Sequence, residues 1–153
     1  MARYAQSTEF SSDKSRSEIE RTLQRYGATR FLYGWEPKRA VIGFEINGRQ
    51  IKMFLPLPNY EDFGLTDSKR WARSEESQQR AYDQAIRQRW RALALVIKAK
   101  LEAVEAGITT TEDEFLAHTV LPDGSTVGQF MRPQLAAAYE RGDMPKMLPA
   151  AVS

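Results

Sequence analysis

Eight side chains in this sequence have types and spacing suited to one chemical task, the holding of phosphates: Lys69, Arg70, Trp71, Arg73, Arg80, Arg87, Arg91 and Lys98. The last four follow one another at steps of 7, 4 and 7 residues. On a helix those steps stack almost in line, and at 1.5 Å per residue the line is roughly 27 Å long. The first four lie in the run SKRWARS just before it, where Trp71 offers a flat ring for stacking on a base. Acids are almost excluded from the line. A face that only confers solubility normally mixes signs, whereas a phosphate backbone calls for cations of one sign, each neutralised phosphate releasing counterions. Two other readings fit the same residues. One is a solvated helix face. The other is contact with an acidic protein surface, including the acidic C-terminal third of this chain.

Other chemistries find less support. His118 is the sole histidine and follows Glu114 by four residues, so the two could share a helix face, but HExxH is absent and two ligands do not make a metal site. Glu112, Asp113 and Glu114 look like paired carboxylates, yet acids at a helix start are favoured by the helix dipole alone. Neither GxSxG, SxxK nor GxxxxGK[ST] occurs, and Gly43 and Gly48 belong to a hairpin rather than to a phosphate-binding turn. With no cysteine there is no thiolate nucleophile and no sulfur-ligated metal. The expectation is a non-enzymatic binding protein with no catalytic residues, no metal and no cofactor.

The net charge of +2 conceals a strong asymmetry. Residues 1–68 carry +1, residues 69–100 carry +6 and residues 101–153 carry −5. Such an uneven distribution bears on partners more than the total does. The 153 residues fit one domain, 1–153, large enough to bury a core without staples. The absence of cysteine suits a reducing compartment, and no run approaches the ~20 apolar residues that span a bilayer. A cytoplasmic protein is expected.

The elements that must position the cations follow from pattern. Residues 1–10 and 143–153 read as loosely ordered tails. Ile19, Leu23 and Tyr26 recur at helical spacing, with Ser15 and Glu18 as a capping box, which predicts a helix over about Asp13–Tyr26 stopped by Gly27. From Arg30 to Glu36 a strand places Phe31, Tyr33 and Trp35 on one face, as core or as an exposed stacking platform. Asn47-Gly48 is the dipeptide of a type I′ turn. It sets the pairs Ile46/Arg49, Phe44/Ile51, Ile42/Met53 and Ala40/Leu55 on an apolar face, and Glu45/Gln50, Gly43/Lys52 and Val41/Phe54 on the other. Residues 56–74 read as a long loop. Ser74 caps a long helix, about Glu75–Ala106, ended by Gly107. Tyr82, Ile86, Trp90, Leu93, Ile97, Leu101 and Val104 form its apolar stripe, and Ala81, Ala85, Ala92, Ala99 and Ala103 an adjacent face small enough for close helix approach. Thr109–Thr111 cap a short acidic helix. A last helix, broken near Pro133 and stopped by Gly142, turns Leu135 and Tyr139 inward. The class is α+β: a three-stranded antiparallel meander packed on one long helix, with short helices at the N- and C-terminal ends.

The phrases MARYAQSTEFSSDKSRSEIERTLQRYGA, RQRWRALALVIKAKLEAVEAGITTTEDEFLAHTVLPDGSTVG and the closing MLP resemble a family of small uncharacterised proteins of tailed bacteriophages and prophages. The resemblance spans nearly the whole chain and implies a phage origin and a host-cytoplasm setting. It assigns no functional residue. The order helix, three strands, helix also looks like the double-stranded-RNA-binding domain, and three strands before a long helix are similar to the core of phage single-strand annealing proteins. The expected partner is DNA or RNA through phosphate contacts, with a homo-oligomer through the long helix, or a host-protein binder, as the alternative.

Overall fold

In the computed structural model, which describes residues 2–66 and 68–144 and side chains from Ser12 onward, the chain runs α1 (Ala2–Arg25), β1 (Arg30–Trp35), β2 (Arg39–Ile46), β3 (Arg49–Pro56), α2 (Glu75–Glu105), α3 (Thr111–Glu114) and α4 (Val127–Arg141). The class is α+β, with a three-stranded antiparallel sheet in the order β1-β2-β3 and the long α2 laid against it.

The hairpin forms as its turn dictates. Asn47 and Gly48 both take positive φ, 49° and 73°, the twist that lets two strands leave a two-residue turn without splaying. The register that follows pairs Ile46 with Arg49, Phe44 with Ile51, Ile42 with Met53 and Ala40 with Leu55. Ala40, Ile42, Phe44, Ile46, Ile51 and Met53 are all buried on that face. β1 then pairs Phe31 with Phe44, Tyr33 with Ile42 and Trp35 with Ala40, so its aromatic residues share the core face. Phe31 and Tyr33 pack against the core, and Trp35, at the end of the edge strand, keeps 44% of its surface. The aromatic strand is chiefly a core element.

Ser74 accepts a hydrogen bond from the Ser77 amide and starts α2, while Glu75 and Glu76 in the first turn complement the dipole. Tyr82, Ile86, Trp90, Leu93, Ala94, Ile97 and Leu101 are buried along one side of it. Trp90 is completely enclosed, its ring 5.6 Å from that of Tyr33. At the far end of the sheet Phe115 meets Phe44 edge-on at 5.5 Å. α1 packs along α2, burying Ile19 and Leu23, and partial burial and a bond to the Glu105 carboxylate push the Tyr26 phenol up. That bond brings together the C-terminal ends of both helices, so α1 and α2 run parallel.

Two elements differ from expectation. α1 begins at Ala2 rather than near Asp13, so residues read as a loose N-terminal segment are its first turns and Ser15 lies inside it. Residues 2–12 contain neither glycine nor proline, so nothing local interrupts the helix. α4 passes through Pro133 unbroken. Its bulky residues face out, Leu135 at 47% and Tyr139 at 82% exposure, and the small Ala138 is the buried one. Helical spacing identifies a face but not which of two neighbouring faces meets the domain. Of the C-terminal tail, residues 145–153 lie outside the described residues.

Arg16 stacks over the Tyr33 ring at 4.1 Å, which completes a column of Arg16, Tyr33 and Trp90 joining α1, β1 and α2. Arg16 Nε, Tyr33 Oη and Trp90 Nε1 are all buried without a hydrogen-bond partner among the described residues. Burying an unpaired hydroxyl costs about 1–3 kcal/mol. Tyr33→Phe keeps the ring and removes that cost, so urea unfolding should show unchanged or higher stability. A loss above about 1 kcal/mol would mean that the hydroxyl holds a bound water or another partner.

Candidate nucleic-acid interface

The segment before α2 is more ordered than a long loop. Residues 60–63 form one 3₁₀ turn whose Tyr60 and Phe63 rings pack edge-on against Tyr82 at 5.4 and 6.0 Å. The chain then doubles back on itself. The Thr66 amide donates to the Trp71 carbonyl at 2.9 Å, Arg73 N–H to Gly64 O at 2.9 Å, and Leu65 bridges Ala72. The Thr66 hydroxyl also accepts from the Trp71 amide and bonds Ser68. The product is a short finger. At its turn the Lys69 amide donates to the Thr66 carbonyl at 2.7 Å, and Lys69 itself sits in the left-handed region at φ 57°. Lys69, Arg70 and Trp71 are exposed on it, Trp71 at 70%. Arg73, at its base, is half-buried and has a partner within the fold.

On α2, Arg80, Arg87, Arg91 and Lys98 are all exposed. None of the four makes an ion pair or side-chain hydrogen bond among the described residues, and the same is true of Lys69 and Arg70. Several cations elsewhere are paired. Arg16 pairs with Asp13 at 2.8 Å, Arg39 with Glu36 at 2.9 Å, Arg49 with Glu112 at 3.4 Å and Arg30 with Glu45 at 3.6 Å. Within α2 the cations that fall outside the line are structural: Arg89 donates to Pro56 O at 2.6 Å, and Lys100 bonds both the carbonyl and the carboxylate of Glu114. The outward side of α1 mixes Lys14 and Arg21 with Glu18 and Glu20. The α2 line thus gathers four exposed cations that make no ion pair among the described residues. Seven of the eight sequence-predicted residues stand exposed on the finger and helix, and Arg73 is the one drawn into the fold.

The other candidates resolve into structural roles. Glu112 and Asp113 sit in the first turn of α3, capped by Thr110, and Glu112 and Glu114 are tied to Arg49 and Lys100. His118 does not share a helix with Glu114, because α3 ends at Glu114 and residues 116–118 form a separate 3₁₀ turn. Burial, then the nearby charges of Lys100 and Arg132, hold its imidazole below the usual histidine range. Among the described residues no cluster of His, Asp or Glu suits a metal ion, and no helix is long and apolar enough to cross a membrane. Concavities occur away from the cationic line. One of about 530 Å³ opens on the outer sheet face, where Gly34 and Gly43 leave space beside Leu32. Another of about 670 Å³ lies between β3 and α4 beside His118. Sequence reasoning missed the finger, whose signals are the short Leu65-Thr66 and Trp71-Ala72 arms, and the structural role of Arg89.

No family model, curated protein or solved structure matches the chain.

His118 makes the fold pH-dependent in a definite sense. Its folded pKa lies below its unfolded value of about 6.5, so the unfolded chain takes up the proton more readily. Stability is therefore held at neutral pH and declines as pH falls through about 6.5. Urea midpoints measured on either side of that value should fall less in His118→Gln than in the parent. Equal slopes in the two proteins would show that this side chain is not responsible.

Proposed function

We propose that the protein is a phage or prophage nucleic-acid-binding accessory protein acting in replication, recombination or regulation. The single observation that carries the binding reading is the uncompensated cationic line. Lys69 and Arg70 on the finger and Arg80, Arg87, Arg91 and Lys98 on α2 are exposed and form no ion pair among the described residues, whereas Arg16, Arg39 and Arg49 do. The phage setting rests on the resemblance of the three sequence phrases.

A line roughly 27 Å long is long enough to follow a backbone across several phosphates. Phosphate contacts position a nucleic acid without reading its sequence. Trp71 adds a ring at one end of the line, held out from the domain by the finger, where an unpaired base could stack on it. A duplex keeps its bases stacked inside, so Trp71 favours a single strand or a frayed end. Arg73 supports the finger from its base and is not assigned a phosphate.

Titration of single- and double-stranded DNA and RNA over a range of salt concentrations tests this directly. Log affinity should fall linearly with log salt. Arg80→Ala and Arg87→Ala should each weaken binding to every sequence alike and reduce the slope by about 1. Trp71→Ala should cost about 1–3 kcal/mol with single strands and far less with duplex. Absence of binding at low ionic strength, or affinity indifferent to salt, would refute the proposal.

A further inference from the structure

The outward side of α2 carries a second pattern, separate from the cations. Ala85, Ala92, Ala99 and Ala106 recur at heptad spacing. Between the middle two stand Leu95, 61% exposed, and Val96, 45% exposed. Ala92, Leu95, Val96 and Ala99 fall at i, i+3, i+4 and i+7, which makes one continuous apolar seam. Ala92 and Ala99 are exposed as well. The seam is turned away from the domain's own core, because the buried residues Ile86, Trp90, Leu93 and Ile97 occupy the opposite side. On a solvated helix this is where charge belongs. Here the residues are small at the ends and branched in the middle, the profile of a helix that receives another helix at close range.

We infer that a second copy of this chain docks antiparallel along this seam, α2 against α2, about a two-fold axis between Leu95 and Val96. Two features on the helix select this occupant and this direction. The pattern is self-complementary about that point: Ala92 faces Ala99 of the second copy, Leu95 faces Val96, Gln88 faces Ala103, and Ala85 faces Ala106. An isologous contact requires such matching of one patch to itself. Charge on one flank of the seam is also self-complementary: Arg91 precedes the midpoint and Glu102 follows it. Antiparallel docking sets Arg91 of each helix beside Glu102 of the other at the rim, twice by symmetry. Parallel docking would set like charges side by side and align the helix dipoles unfavourably. Arg80, Arg87 and Lys98 lie further round the helix, towards α1, and remain open to solvent. The inference does not depend on nucleic-acid binding and is tested without any nucleic acid.

The chain has no cysteine of its own, so engineered thiols report cleanly. Ala92→Cys and Ala99→Cys chains, prepared separately, should each give little disulfide-linked dimer on mild oxidation and should couple efficiently when mixed. The antiparallel register brings 92 and 99 within disulfide reach and holds 92 from 92 about 10 Å apart along the axis. Sedimentation equilibrium on the unmodified protein should show a concentration-dependent dimer. Leu95→Glu, a change at an exposed position, should return it to monomer while leaving the thermal midpoint of the monomer unchanged. A parent protein that stays monomeric across the concentration series would overturn the inference. So would efficient coupling of the Ala92→Cys chain to itself, or a dimer indifferent to Leu95→Glu.

Discussion

Everything in this domain hangs on the side of α2 that carries Trp90. The indole is completely enclosed, and a residue of that size buries enough apolar surface to dominate a small core. Tyr33 from the sheet and Arg16 from α1 reach it in one column, while Ile86 and Ile97, one turn or two away, complete the wall. An amphipathic helix of 31 residues is stable only with a surface to cover its stripe. The sheet covers one part and α1 another. Because that stripe fixes the rotation of α2 about its own axis, it also decides which residues face water. The cations and the alanine seam are displayed by default, as whatever remains when Trp90 points in.

That dependence explains why so much of the architecture can be read from residue types. The Asn47-Gly48 turn fixes register, register fixes faces, and Ser74 with Gly107 brackets the long helix. These are local rules with few alternatives, and the tertiary structure agrees with each of them. The same locality made the cationic line visible, since position on a helix follows from number alone. What stayed hidden depends on contacts remote in sequence. α1 extends back to Ala2, beyond the stripe that marks its later turns, and the orientation of α4 is decided by which small residue fits, Ala138, rather than by where Leu135 and Tyr139 recur. The finger escaped because its arms are two residues each, too short for any periodicity to register. Arg89 and Arg91 look alike in sequence and are separated only by the place where β3 ends, since Pro56 offers its carbonyl to the first and nothing to the second.

Charge in this molecule is handled in two ways, and the difference is physical rather than statistical. An exposed ion pair contributes about 0–1 kcal/mol, so pairing Arg39 with Glu36 or Arg49 with Glu112 does little for stability. It does cancel the field those groups would project. Arg80, Arg87, Arg91 and Lys98 have no ion-pair partner among the described residues, which costs equally little in stability and leaves their own field to be projected. Such a field acts at a distance of about a Debye length, ~8 Å at physiological salt, and so it acts before contact as well as during it.

Lys69 at the tip of the finger adds a constraint of another kind. A side chain with φ of 57° occupies a region where glycine or asparagine would rest more easily, and such positions cost on the order of 1 kcal/mol. The turn bond from its amide to Thr66 needs that conformation. Its long, charged side chain is therefore carried on a backbone conformation that the turn bond, not the residue type, selects. A glycine or asparagine at this position would ease the backbone and remove the cation, so the presence of lysine sets charge at the turn above local ease of folding.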